Sequence, residues 1–117
     1  MAEKCRQLQH EIGMLSSFSH SNILSFIGCS ISQDHIFLIT EFMPLGSLYD
    51  FLRSRSICRT YNTANAMDFA CDVAEACRYL HGLGIIHCDL KTANILVSTR
   101  IGEPVNRLFT NLGATDK

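Results

Sequence analysis

The chain has 117 residues, 47% of them apolar, and a formal net charge of −1. That balance suffices for one modest packed domain and excludes both a disordered segment and a surface built to coat nucleic acid. No apolar run approaches bilayer-spanning length and the start MAEKCRQLQHEIG is charged rather than signal-like, so no membrane segment and a reducing, cytoplasmic setting are expected.

Residues 2 to about 18 are expected to form a helix, because Cys5, Leu8, Ile12 and Leu15 recur at three- and four-residue steps. SHSN breaks it. ILSFIGCSI alternates like a strand, SQDH makes a turn, and IFLITEF is a continuous apolar run suited to a buried strand. The two strands should pair as a hairpin. After MPLG, Ser47 is placed to cap a short helix through Arg53.

The strongest helix signal covers residues 64 to 81, where Ala66, Phe69, Ala70, Val73, Cys77 and Leu80 make one apolar stripe. Gly82 and Gly84 should stop it. GIIH and NILVS are short apolar pieces around a polar loop, and EPV turns the chain into NRLFT, a last strand. Helix, hairpin, helices and short strands in that order indicate an α+β fold.

The six cysteines contain no C-x-x-C pair. Cys71 and Cys77 lie six residues apart, about 240° around a helix, so they do not share a face. Buried free thiols fit better than a metal site, with or without His87.

Between the long helix and the strand NILV lies HCDLKTAN, residues 87–94. Phosphoryl transfer to a hydroxyl needs a carboxylate to orient the hydroxyl and accept its proton. It also needs cations to offset phosphate charge and oxygen ligands for magnesium. The loop offers Asp89 as base, Lys91 as cation and Asn94 as a neutral oxygen ligand.

HCDLKTAN resembles the catalytic loop of eukaryotic protein kinases, H-R-D-L-x-x-x-N. EIGMLSSFSHSNILSFIGC is similar to that family's helix C followed by strand four, and HIFLITEFMPLGSLYDFL to its strand five, hinge and helix D. ACRYLHGLGIIHCDLKTANILV is similar to helix E running into the catalytic loop. The resemblance implies part of a two-lobed kinase fold. Residues 1–43 would be the end of the N-lobe (helix C, strands four and five, hinge). Residues 44–117 would start the C-lobe (helices D and E, catalytic loop, strands seven and eight). It implies ATP and Mg2+ as cofactors and protein serine or threonine hydroxyls as acceptors. Lys91 after Asp-Leu follows the serine/threonine pattern, while GSLYDFL and FIGCS lean toward the tyrosine-kinase-like group of those enzymes.

Carried over by motif, Glu11 matches the helix-C glutamate that pairs with a strand-three lysine. Leu15, Phe26 and His87 match the regulatory hydrophobic stack. Thr40 matches the gatekeeper. Glu41 and Met43 match the hinge, whose backbone carbonyl and amide hydrogen-bond adenine, and Leu96 matches the residue under the adenine ring.

Four departures stand beside the match. The only G-x-G is Gly82-Leu83-Gly84 at the helix end, and Lys4, about 10 Å along the same axis from Glu11, cannot replace a strand-three lysine. Cys88 stands where the family has arginine, the usual receiver of an activation-loop phosphate. Asn111-Leu112-Gly113 falls where D-F-G is expected, seventeen residues after Asn94, and puts a neutral amide in place of the magnesium-binding carboxylate. Helix E normally packs against a later C-lobe helix that these residues do not include, so its stripe should lack cover. The reading is a kinase-domain portion inactive on its own. The alternatives are a pseudokinase-like protein-interaction module or a truncated product without independent function.

Overall fold

The computed structural model describes residues 2–54, 63–98 and 106–108. Helix α1 spans Ala2–Ser17, strands β1 and β2 span Phe26–Ile31 and Ile36–Thr40, and a short helix α2 spans Leu48–Arg53. Helix α3 runs from Thr63 to Gly82, a 3-10 turn covers Thr92–Asn94, and strands β3 (Ile95–Val97) and β4 (Asn106–Leu108) follow. The fold is α+β, as expected. GIIH forms no strand.

β1 and β2 make the expected antiparallel hairpin, with Cys29 opposite Leu38 and a register irregularity between Phe26 and Gly28. β3 and β4 form a second antiparallel pair, with Leu96 opposite Arg107. Neither pair extends into a larger sheet among the described residues.

The element ends follow from local chemistry. Ser47 caps α2, its hydroxyl accepting the Asp50 N–H at 3.2 Å and donating to the Asp50 carboxylate at 3.1 Å. α3 ends in a Schellman motif: the Ile85 N–H reaches the Leu80 carbonyl at 2.9 Å and the Gly84 N–H reaches that of His81 at 3.0 Å. Gly84 occupies the left-handed position, φ 77°, that the motif requires.

One core organises the chain. Leu80 is 1% exposed and Ala76 and Val97 are 0% exposed, packed with Ile23, Leu48, Phe69 and Ile95. α3 thus buries one stripe against α2, β3 and the segment before β1. A second tie fastens the end of α1 to α3: Tyr79 Oη accepts the Ser19 N–H at 3.0 Å, and its ring lies 5.0 Å from His20.

Four expectations need correction. The stripe of α3 does not lack cover, since Phe69 and Leu80 are buried and Val73 and Cys77 pack beside them. Ala70, placed in that stripe by sequence, is exposed, and Ala76 takes the buried position instead. β2 is not buried: Ile36, Phe37, Leu38 and Ile39 are 44–57% exposed, because a two-stranded ribbon has no second layer over it. The thiols are not buried either. Cys5, Cys29, Cys71 and Cys88 are exposed, and Cys77, which packs at the margin of the core, is half-buried. Cys58 lies outside the described residues.

Candidate active site

The loop between α3 and β3 gathers Asp89, Lys91 and Asn94. Asp89 Oδ2 accepts from Asn94 Nδ2 at 3.1 Å and lies 3.5 Å from Lys91 Nζ. Asn94 Nδ2 also donates to the Asp89 backbone carbonyl at 2.9 Å. The Asn94 N–H bonds the Lys91 carbonyl at 2.9 Å, closing the 3-10 turn that sets this spacing. Asp89 and Lys91 side chains are 43% and 56% exposed, so their pairing is worth under about 1 kcal/mol to the fold. What it does is aim a solvent-reachable carboxylate.

His87 secures the loop from below. Its buried ring accepts the Asp89 N–H on Nδ1 at 3.1 Å, which puts the neutral ring's proton on Nε2. Between them Cys88 adopts φ 67°, the left-handed region that favours glycine. Its exposed thiol points only a weak contact, 3.5 Å, at the Ile86 carbonyl.

The hinge-like segment follows β2. The half-buried Thr40 donates its hydroxyl to the Glu41 carbonyl at 3.3 Å. The Glu41 N–H bonds the Ser25 carbonyl and its carboxylate accepts the Ser25 N–H, both at 2.9 Å, which fixes this segment to the residue before β1. Met43 is buried, and its carbonyl accepts the Gly46 N–H at 3.1 Å in the turn that follows. The Met43 N–H carries no hydrogen bond among the described residues.

A link that the sequence reading missed joins this segment to the catalytic-type loop. The Gly46 carbonyl accepts the Val97 N–H at 2.9 Å, and Ser47 bridges Leu96. Leu96 is half-buried one residue from that bond. Gly46, at φ 71° directly after Pro44-Leu45, was the available signal for the turn, though not for its partner.

Other expected site residues are not drawn together. Glu11 is half-buried on α1 and forms no ion pair among the described residues, and Lys4 is exposed on the same helix. Leu15 and Phe26 are half-buried. Asn111 lies outside the described residues, with the whole Asn111-Leu112-Gly113 segment. Asn94 spends its amide nitrogen on Asp89, which leaves its Oδ1 as a neutral oxygen donor. No cluster of three or more His, Cys, Asp or Glu occurs among the described residues. Hard divalent cations require anionic oxygen. Among the described residues of this loop, the Asp89 carboxylate and Asn94 Oδ1 are the oxygens that a divalent cation could use.

An aspartate held by a lysine two residues on and an asparagine five residues on thus lies between a long helix and a short strand that bonds the turn after β2. The family model for protein tyrosine and serine/threonine kinase matches residues 1–106, and the chain belongs to that family. It is 36% identical over 96 residues to the serine/threonine-protein kinase STY17 of Arabidopsis thaliana, covering 82% of this chain and 16% of that protein. It is 32% identical over 119 residues to the probable serine/threonine-protein kinase gdt9 of Dictyostelium discoideum, covering 80% of this chain and 8% of that one. A third relative is the mitogen-activated protein kinase kinase kinase nsy-1 of Caenorhabditis elegans, 35% identical over 105 residues, with 86% of this chain and 7% of that protein covered. The chain thus spans less than a fifth of the length of these relatives. The family in general uses ATP and Mg2+ and acts on protein substrates. No described helix is long and apolar enough to cross a membrane.

Proposed function

We propose that this chain is the hinge and catalytic-loop portion of a serine/threonine kinase domain of the tyrosine-kinase-like group. In this reading residues 1–43 end the N-lobe and residues 44–117 begin the C-lobe. Asp89 orients a protein serine or threonine hydroxyl and accepts its proton, while Lys91 offsets charge on the transferring phosphoryl group. The Glu41 carbonyl and Met43 N–H bind the adenine edge, Leu96 packs under the ring, and Thr40 borders the pocket. Glu11 waits for a lysine that these residues do not supply. The observation that carries this reading is the Asp89 carboxylate, fixed by Asn94 and Lys91 yet open to solvent.

The same reading limits what the 117 residues do alone. They hold no glycine-rich loop and no strand-three lysine, and positions 94 and 111 are both neutral amides. Positioning and electrostatics supply most of the catalysis in this reaction class. The chain alone should therefore bind nucleotide weakly and without magnesium dependence at the hinge, and transfer no phosphoryl group. A radiolabelled-ATP assay on the purified chain beside Asp89→Asn tests this. Transfer present in the first and lost in the second would restore an active enzyme.

A second reading, a pseudokinase-like module that binds a protein partner, is favoured by the neutral Asn111 in the D-F-G position and by Cys88 in the arginine position. Nucleotide binding at the hinge with no transfer from a longer chain that includes the glycine-rich loop and lysine would select it.

A further inference from the structure

The β1–β2 ladder ends in an irregular way. Its register sets Phe26 opposite Thr40, so Ser25 and Glu41 fall opposite each other as the next pair. In a regular hydrogen-bonded pair of antiparallel strands, two such residues exchange both N–H···O=C bonds. The backbone makes only half of that exchange, with the Glu41 N–H donating to the Ser25 carbonyl at 2.9 Å. The Ser25 N–H donates instead to Oε1 of the Glu41 side chain, also at 2.9 Å.

A carboxylate oxygen thus stands where the ladder would use the Glu41 backbone carbonyl. A carboxylate accepts an N–H more strongly than a neutral carbonyl does, which favours the exchange. The carbonyl is released from the ladder, and the Thr40 hydroxyl donates to it at 3.3 Å. It faces the Thr40 side chain rather than the Ser25 N–H. A carbonyl oxygen carries two lone pairs, and one long hydroxyl contact does not fill it.

We propose that the Glu41 side chain is a positioning residue for nucleotide. By taking the Ser25 N–H, the carboxylate keeps the backbone carbonyl of its own residue out of the sheet and turned toward the exocyclic amino group of an adenine base. This role rests on the assignment of that carbonyl to adenine under the proposed function. Without the side-chain acceptor, the register offers the Ser25 N–H the backbone carbonyl, and closing the regular pair draws the carbonyl away from the base. The requirement is for an oxygen at that reach, not for charge. Glutamine keeps such an oxygen and alanine does not.

The test uses the 117-residue chain and adenosine, which has no phosphates and so needs neither magnesium nor a strand-three lysine. Nuclear magnetic resonance couplings across hydrogen bonds report which carbon accepts the Ser25 N–H, and the amide shifts of residues 40–43 report adenosine affinity. In the parent, the Ser25 nitrogen should couple to the Glu41 side-chain carbon Cδ. In Glu41→Ala it should couple to the backbone carbonyl carbon of position 41, and the adenosine Kd should rise about tenfold, the scale of one oriented hydrogen bond. Glu41→Gln should restore the side-chain coupling and most of the affinity. Unchanged affinity in Glu41→Ala, a coupling that does not move to the backbone, or a Glu41→Gln as weak as Glu41→Ala would each overturn the positioning role. A parent that shows the side-chain coupling but no response to adenosine would overturn the adenine assignment and the role with it, and the intact coupling tells that failure from the others.

Discussion

Cys88 adopts φ 67° between the buried His87 and the half-buried Asp89. A side chain in the left-handed region costs roughly 1–2 kcal/mol, and a β-branched one more. Cys88→Val should therefore destabilise the chain by about 1–2 kcal/mol in urea unfolding, whereas Cys88→Gly should be nearly neutral. Equal effects of both would mean that the backbone there is not held. Cys77 offers a second test at this scale. Burial against the core pushes its thiol pKa up, which favours the protonated form in the fold. The resulting stability is fully present below the ordinary thiol pKa and is lost as pH rises through the raised one. At neutral pH Cys77 should alkylate more slowly than Cys71 or Cys88, read by mass spectrometry of labelled peptides.

At the scale of elements, the junctions matter more than the rods. α3 carries the core, but its exit decides where Asp89 lies, because only six residues lie between Leu80 and His87. Gly84 makes that exit through its left-handed conformation. A Cβ there would meet nothing within 4 Å, so the cost of Gly84→Ala is conformational rather than steric. It should lower stability by about 1 kcal/mol, and the amide signals of residues 85–89 should move in a nuclear magnetic resonance comparison. Unchanged stability would place the turn's control elsewhere. The Gly46–Val97 and Ser47–Leu96 contacts play the matching part at the other end of the site, since they tie a loop after β2 to a strand more than forty residues later.

For the whole molecule, one core holds α2, α3, β3 and the segment before β1, while the β1–β2 ribbon projects with both faces wet. Stability should depend on that core. Redox state should matter little to it. The described cysteines are free and no metal-holding cluster occurs among the described residues. Melting curves with and without reductant, and with and without chelator, should superimpose. A large loss of stability on adding chelator would point to a metal site after all.

The sequence by itself determined whatever depends on neighbours along the chain. The three-to-four spacing of Leu8, Ile12 and Leu15, the Ser47 cap and the Gly84 stop placed helices within one or two residues of where they fall, because helical periodicity and capping are local. Asp89, Lys91 and Asn94 were readable as a set for the same reason: a span of six residues closed by one 3-10 turn leaves little freedom. Burial was not readable. IFLITEF has the composition of an interior strand, yet hydrophobicity states only what a segment prefers, and whether a second layer exists to satisfy it depends on residues far away in the chain. Ala76 rather than Ala70 faces the core for a related reason, since small side chains carry too little hydrophobic signal to fix a helix's rotation against its partners. The bond from Val97 to Gly46 joins backbone groups that every residue possesses. Only the tertiary structure could decide which of them would meet.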